Sequence, residues 1–113
     1  MRWFLRSKIH RATVTEANPD YTGSIIIDQS LMEKAGFLAG EKALVASLTS
    51  GARLETYVIE GQNNSGEICM NGAAALLIKR GEKIIIMGFE LADNSIKYRN
   101  ILVDENNKFV KFL

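Results

Sequence analysis

The one dipeptide in this chain able to do chemistry on itself is Gly23-Ser24, within Tyr21-Thr22-Gly23-Ser24 and just before the apolar run Ile25-Ile26-Ile27 and Asp28. A serine hydroxyl placed after a glycine can attack the glycine carbonyl and turn the peptide bond into an ester, and glycine, lacking a Cβ, tolerates backbone angles closed to other residues. The same dipeptide is ordinary in turns and bulges at the start of strands, so it decides nothing alone. Other reactive residues are few. Cys69 is the single cysteine, with no partner for an internal disulfide and no histidine or cysteine at metal-ligand spacing. His10 is the single histidine, and a lone histidine on a strand is more often structural than catalytic.

The elements that must position Gly23-Ser24 read as short strands. Residues 2–15 carry Ile9, Thr13, Val14 and Thr15, and a side-chain period of two puts Lys8, His10, Ala12 and Val14 on one face. Asn18-Pro19-Asp20 reads as a turn, and 21–27 as a second, more buried strand with Gly23-Ser24 at its start. Asp28 or Ser30 caps a short helix over 31–35, with Gly36 as its C′ residue. Residues 43–48 and 53–60 read as strands joined by a hairpin turn over Thr49-Ser50-Gly51-Ala52. After a polar loop over 61–66, a strand over 67–70 leads through Asn71-Gly72 into a helix ending near Gly81. Strands follow over 83–90, 101–103 and 109–112. Short strands with turn signals every eight to twelve residues predict a mainly β protein, a small β-barrel with two short helices rather than a βαβ fold.

Composition bounds the rest. A chain of 113 residues fits one domain over 1–113 and buries roughly two-thirds of its unfolded surface, enough for a real core. With 47% hydrophobic residues, 24% charged and one proline, it is neither disordered nor low-complexity. Fourteen basic against thirteen acidic residues are interspersed to a net +1, which is no phosphate-binding footprint and argues against a nucleic-acid partner. The longest apolar runs are too short to span a bilayer, and Met1-Arg2-Trp3 begins no secretory signal, so no membrane partner and a cytoplasmic location are expected.

Five separated segments then match one family in order and spacing: Lys8-Ile9-His10-Arg11, Tyr21-Thr22-Gly23-Ser24, Ile27-Asp28-Gln29, Gly51-Ala52-Arg53 with Thr56-Tyr57, and Asn71-Gly72-Ala73-Ala74-Ala75. Over nearly its whole length the chain resembles the pyruvoyl-dependent aspartate 1-decarboxylases, which make β-alanine for pantothenate synthesis. The resemblance implies a double-psi β-barrel, assembled as a homotetramer with active sites between subunits. It implies a precursor that cleaves between Gly23 and Ser24, leaving a pyruvoyl group derived from Ser24 as a covalent cofactor. No external cofactor or metal is then needed. Ester formation at Gly23, β-elimination and hydrolysis of the resulting dehydroalanine lead to that ketone, which beside an amide carbonyl takes up the electrons released with CO2.

The resemblance also assigns roles. Arg53 binds the side-chain carboxylate of L-aspartate, which a guanidinium fork meets with two parallel charge-assisted hydrogen bonds. Lys8 is a second basic group near the substrate. Tyr57 is the proton donor; four residues from Arg53, it shares a strand face with it at about 13 Å between Cα atoms. Thr56 belongs to the substrate site in the family yet points to the opposite face of a regular strand, so either a bulge intervenes or it acts on the Gly23 carbonyl or on a neighbouring subunit's site. Asn71, Gly72, Ala73 and Ala74 form a substrate loop, with a polar contact from Asn71, small residues for close backbone approach, and a helix N-terminus that favours a carboxylate. His10 is a site neighbour without a proton role, and Tyr21 shapes the loop before the cleavage bond. Ala46 stands where familiar members carry a tryptophan. Two alternatives stay open: a double-psi barrel that only binds, and a pyruvoyl decarboxylase of another amino acid. An accessory protein that promotes maturation also stays open.

Overall fold

β-Branched side chains pack well on a pleated surface, and they mark most strands of the computed structural model, which describes residues 1–113. In chain order the elements are β1 (Arg2–Thr13), β2 (Glu16–Asn18), β3 (Ser24–Asp28), α1 (Gln29–Ala35), β4 (Lys42–Ser47), β5 (Arg53–Gly61), β6 (Ile68–Asn71), α2 (Ala74–Leu77), β7 (Lys83–Ala92), β8 (Arg99–Val103) and β9 (Phe109–Phe112). The strands form one sheet in the order β2-β6-β3-β5-β4-β7-β1-β8-β9. Three neighbours run parallel, β1 with β8, β2 with β6 and β3 with β5, and the remaining pairs are antiparallel. Beyond β1 the chain crosses to the other half of the sheet, where Thr15 N donates to Ile68 O at 2.8 Å. Ile9, Ile25, Ile27, Ile68, Ile84, Ile86 and Ile101, all with no exposed surface, form the centre of the enclosed core. The expected small barrel with two short helices is what the chain builds.

Four expectations are corrected. The first strand ends at Thr13, and Glu16–Asn18 is a separate short strand beside β6. β3 begins at Ser24, so residues 21–23 lie outside the sheet and the Gly23–Ser24 bond sits at the strand's first residue. α2 ends at Leu77 rather than near Gly81, because Ile78 turns to an extended conformation (φ −122°, ψ 122°) and is fully buried. Lys8 and His10 do not share a face with Ala12 and Val14. Arg11 adopts φ 67° as an extra residue between His10 and Ala12 opposite β7, so Ser7, Ile9, Ala12 and Val14 face the core while Lys8 and His10 face out.

Two buried carboxylates fix the loops around the elements that carry the site. Asp28 is the N-cap of α1: its Oδ1 accepts from Ser30 N (2.9 Å), Ser30 Oγ (2.8 Å) and Asn64 N (2.9 Å), and its Oδ2 from Gly66 N (2.8 Å). Gly36, at φ 83°, closes that helix in the left-handed conformation its missing Cβ allows. Glu82 accepts from Ser47 Oγ and Lys79 N, both at 2.6 Å, and so ties the β4–β5 hairpin to the segment after α2. Those bonds outweigh burial and hold the Glu82 carboxyl below its ordinary value.

Candidate active site

Antiparallel pairing of β3 with β6 places Ser24 directly opposite Asn71. Ser24 is fully buried and Asn71 nearly so, and Asn71 Nδ2 donates to Ser24 Oγ at 3.2 Å. A neutral amide donor thus holds the hydroxyl of the residue that follows the Gly23 carbonyl. Gly23 is at the surface, where it joins Thr56, Tyr57, Asn71, Ala73 and Ala74 around a cleft of about 360 Å³. Gly72 lies behind the same junction, its Cα turned onto Gly23. Eight of the ten site positions expected from the sequence therefore meet at one place: Gly23, Ser24, Thr56, Tyr57, Asn71, Gly72, Ala73 and Ala74.

The β5 strand is regular where it pairs with β4, and no bulge intervenes at Thr56. Arg53, Glu55 and Tyr57 face outward while Leu54, Thr56 and Val58 turn toward the interior. Thr56 is therefore on the face opposite Tyr57, yet both line the cleft because it opens at the edge of β5, with Tyr57 on the rim at 41% exposure. Thr56 lines it together with Gly23, in keeping with an action on that carbonyl.

Lys8 and Arg53 do not line the cleft. Cross-strand pairing sets them on the outer sheet face in two adjacent rows, Arg53–Ala46–Ile85–His10 and Glu55–Leu44–Met87–Lys8. Three strand spacings separate β5 from β1, about 14 Å. Ala46 puts only a methyl group between Arg53 and Ile85 in the first row. His10 Nδ1 and Asn100 Oδ1, the latter on β8 beside Lys8, are buried without a hydrogen-bond partner. Burial, with help from the Lys8 and Arg11 cations, lowers the His10 pKa.

Three lining residues escape the sequence reading: Leu54, Glu55 and Leu77. Glu55 had a signal, since a period of two places it between Arg53 and Tyr57 on their shared face. It is paired with Lys42 Nζ at 2.5 Å, which offsets the repulsion it would exert on an anionic ligand. The expected helix N-terminus also changes. α2 is a single turn whose Ala75 and Leu76 N–H groups fold back on Gly72 O and Ala73 O, so it carries little of the aligned dipole that would draw a carboxylate.

The aspartate decarboxylase family model matches residues 1–110, almost the whole chain. The chain belongs to the aspartate decarboxylase family. It is 54% identical to an aspartate 1-decarboxylase of Caldicellulosiruptor saccharolyticus, over 95% of this chain and 87% of that protein. An aspartate 1-decarboxylase of Clostridium botulinum is 52% identical over 93% of this chain and 76% of its own. One of Thermoanaerobacter pseudethanolicus is 50% identical over 95% of each. Among solved structures, the rationally designed protein mkDPBB_sym_86, a double-psi β-barrel, superposes with a TM-score of 0.51 at 21% identity, covering 74% of this chain and 91% of that one. This likeness shows the fold of the aspartate decarboxylase chain as a double-psi β-barrel. No helix is long and apolar enough to cross a membrane.

Proposed function

We propose that this chain decarboxylates L-aspartate to β-alanine and CO2, supplying pantothenate synthesis, through a pyruvoyl group that it makes from Ser24 by cutting its own Gly23–Ser24 bond. The observation that carries the reading is the buried Asn71 Nδ2–Ser24 Oγ hydrogen bond beside a cleft that Gly23 itself lines. Oγ forms a bond to the Gly23 carbonyl carbon, the C–N bond breaks, and the hydroxyl proton passes to the Ser24 nitrogen. Loss of the Ser24 α-proton with cleavage of its Cβ–Oγ bond then releases Gly23 as a carboxylate and leaves dehydroalanine. Water adding to the imine tautomer of that residue gives the ketone and ammonia.

The surrounding residues fit the resulting group: a buried amide donor stands within reach of position 24, and small residues 72–74 leave space beside it. When formed, the group supplies a ketone conjugated to an amide carbonyl, a sink for the electron pair freed by loss of CO2. Asn71 holds that end of the site. Thr56, on the same wall as Gly23, serves the cleavage step. Tyr57, on the rim, returns a proton to the α-carbon from its phenolic hydroxyl. Tyr57→Phe should self-cleave normally but lose about 100-fold or more in kcat, a typical contribution from a placed general acid. Normal turnover in fully cleaved Tyr57→Phe would remove it from the role.

Arg53 and Lys8 hold the substrate carboxylates of a cleft on a neighbouring subunit within a homotetramer. The support is their place on an outer face that also exposes Trp3 (67%) and Phe89 (38%), together with the partnerless His10 Nδ1 and Asn100 Oδ1. Neither Ser24→Ala nor Arg53→Ala homo-oligomers should turn over aspartate. Co-expressed, they should recover part of the activity, because some clefts draw an intact Ser24 and an intact Arg53 from different chains. No recovery in isolated mixed oligomers would place Arg53 at its own chain's cleft or outside the site. If Arg53 reads the side-chain carboxylate, its loss should weaken discrimination between aspartate and amino acids lacking that group.

A further inference from the structure

The crowding at the scissile bond belongs to Gly72 rather than to Gly23. Gly72 has φ +67°, and a Cβ built on it would lie 2.7 Å from Gly23 Cα, 2.9 Å from Gly23 N and 3.2 Å from Tyr21 O. All three are backbone atoms, so no side chain can swing aside to relieve the overlap. Gly23 is the reverse case. Its φ lies outside the left-handed region, and the nearest heavy atom to a Cβ there is Asn71 O at 3.9 Å.

Gly72 is also braced from behind. Its N–H donates to Asn18 O at 2.9 Å, and the same oxygen accepts from Tyr21 N at 3.3 Å. Asn18 Oδ1 accepts from Asp20 N at 3.0 Å, closing the turn before the scissile bond. Parallel pairing of β2 with β6 sets Asn18 opposite Asn71. One short stretch, Asn71-Gly72, thus holds Ser24 Oγ from one residue and supports Gly23 with the next.

We propose that Gly72, braced by Asn18, is a positioning residue for the self-cleavage step. Resting on the reading that Ser24 cuts its own chain, the proposal is that the bare Cα of Gly72 sets where the Gly23 carbonyl carbon lies relative to the Ser24 Oγ that Asn71 holds. Gly72 exchanges no bond or proton; a Cβ on it displaces residues 21–23 and leaves the hold on Oγ in place. The glycine at position 23 supplies the carbonyl, and the glycine at position 72 supplies the room.

The test is a time course of intact mass on freshly purified precursor. Wild type, Gly72→Ala, Gly72→Asn and Gly81→Ala are compared, with thermal unfolding of each variant in the uncleavable Ser24→Ala background. Gly81, at φ +90° with nothing within 4 Å of a Cβ, carries the same backbone strain without the contact. Gly72→Ala should cleave about 100-fold more slowly than wild type, the scale of an ångström-sized misplacement of reacting groups. Gly81→Ala should cleave at the wild-type rate while losing stability to backbone strain alone. Gly72→Asn, which adds a Cβ at the same place on a residue that tolerates the left-handed conformation, should slow cleavage by a similar factor. It decides the matter should Gly72→Ala fail to fold. Cleavage of Gly72→Ala, or of Gly72→Asn in that case, at the wild-type rate overturns the proposal. A wild-type chain that stays whole overturns the proposed function and this inference with it.

Discussion

Ser24→Ala is expected to run as one uncut chain and to form no measurable β-alanine, while the wild-type protein runs as two pieces, 1–23 and 24–113. The substitution removes one oxygen atom and nothing else from the buried junction. Its cost in folding is the hydrogen bond from Asn71 Nδ2, a neutral contact worth about 0.5–1.5 kcal/mol, plus the penalty of leaving a buried amide proton without an acceptor. Both are small beside a barrel core built on eight fully buried isoleucines. The variant should therefore fold, and loss of activity should trace to chemistry rather than to collapse. Intact mass and circular dichroism on the same sample separate the two. A wild-type protein that remains one piece after long incubation, with no mass change at Ser24, would falsify the self-cleaving reading and favour a barrel that only binds.

The largest expected effect on stability is at Asp28. Its carboxylate caps α1 and accepts four hydrogen bonds, from Ser30 N, Ser30 Oγ, Asn64 N and Gly66 N. Burial alone would raise its pKa, but the bonds from Gly66, Ser30 and Asn64 together outweigh it and hold the carboxyl below the ordinary value. Asp28→Ala leaves three backbone N–H groups without an acceptor and should cost about 3–5 kcal/mol in chemical denaturation. Asp28→Asn keeps an acceptor for Ser30 and Asn64 but sets an NH2 group against Gly66 N, so its cost should fall between the two. The pH dependence follows from the depressed folded pKa. The ionised group contributes in full above the unfolded value, about 3.9, and the contribution disappears as the pH falls through the lower folded value. The wild-type protein should thus lose stability in that window, and Asp28→Ala should lose less there.

Much of this was written in local sequence. Turn residues and alternation locate nearly every strand, and Asp28 and Gly36 mark both ends of α1 because capping is a contact between near neighbours. What escaped depends on distant partners. Arg11 takes a left-handed conformation that no glycine announces, and that single residue reverses which side of β1 faces the core. β2 is three residues long and owes its place to β6, some fifty positions away. The alanine-rich run after Gly72 favours a longer helix, but burial of Ile78 and the pull of Glu82 on Lys79 N end it after one turn. At the cleft, motif spacing gathered the Ser24–Asn71–Tyr57 group. The same spacing could show that Arg53 and Tyr57 share a face, but not that the cleft reaches only the Glu55–Tyr57 end of it.

The order of the strands carries a further consequence. Residues 1–23 hold β1 and β2, and β1 lies between β7 and β8; the segment delivers Ile9, Ala12 and Val14 to the shared core. Before the proposed cut at Gly23–Ser24, closing that sheet is a first-order event within one tethered chain. After it, two polypeptides are threaded through one barrel with no covalent bond between them. Unfolding then becomes dissociation, and reassembly becomes a second-order encounter whose success depends on concentration. If Gly23–Ser24 is cut as proposed, a cut molecule that loses its fold regains it only by meeting its other piece, and the uncut chain is then the form in which this barrel is built.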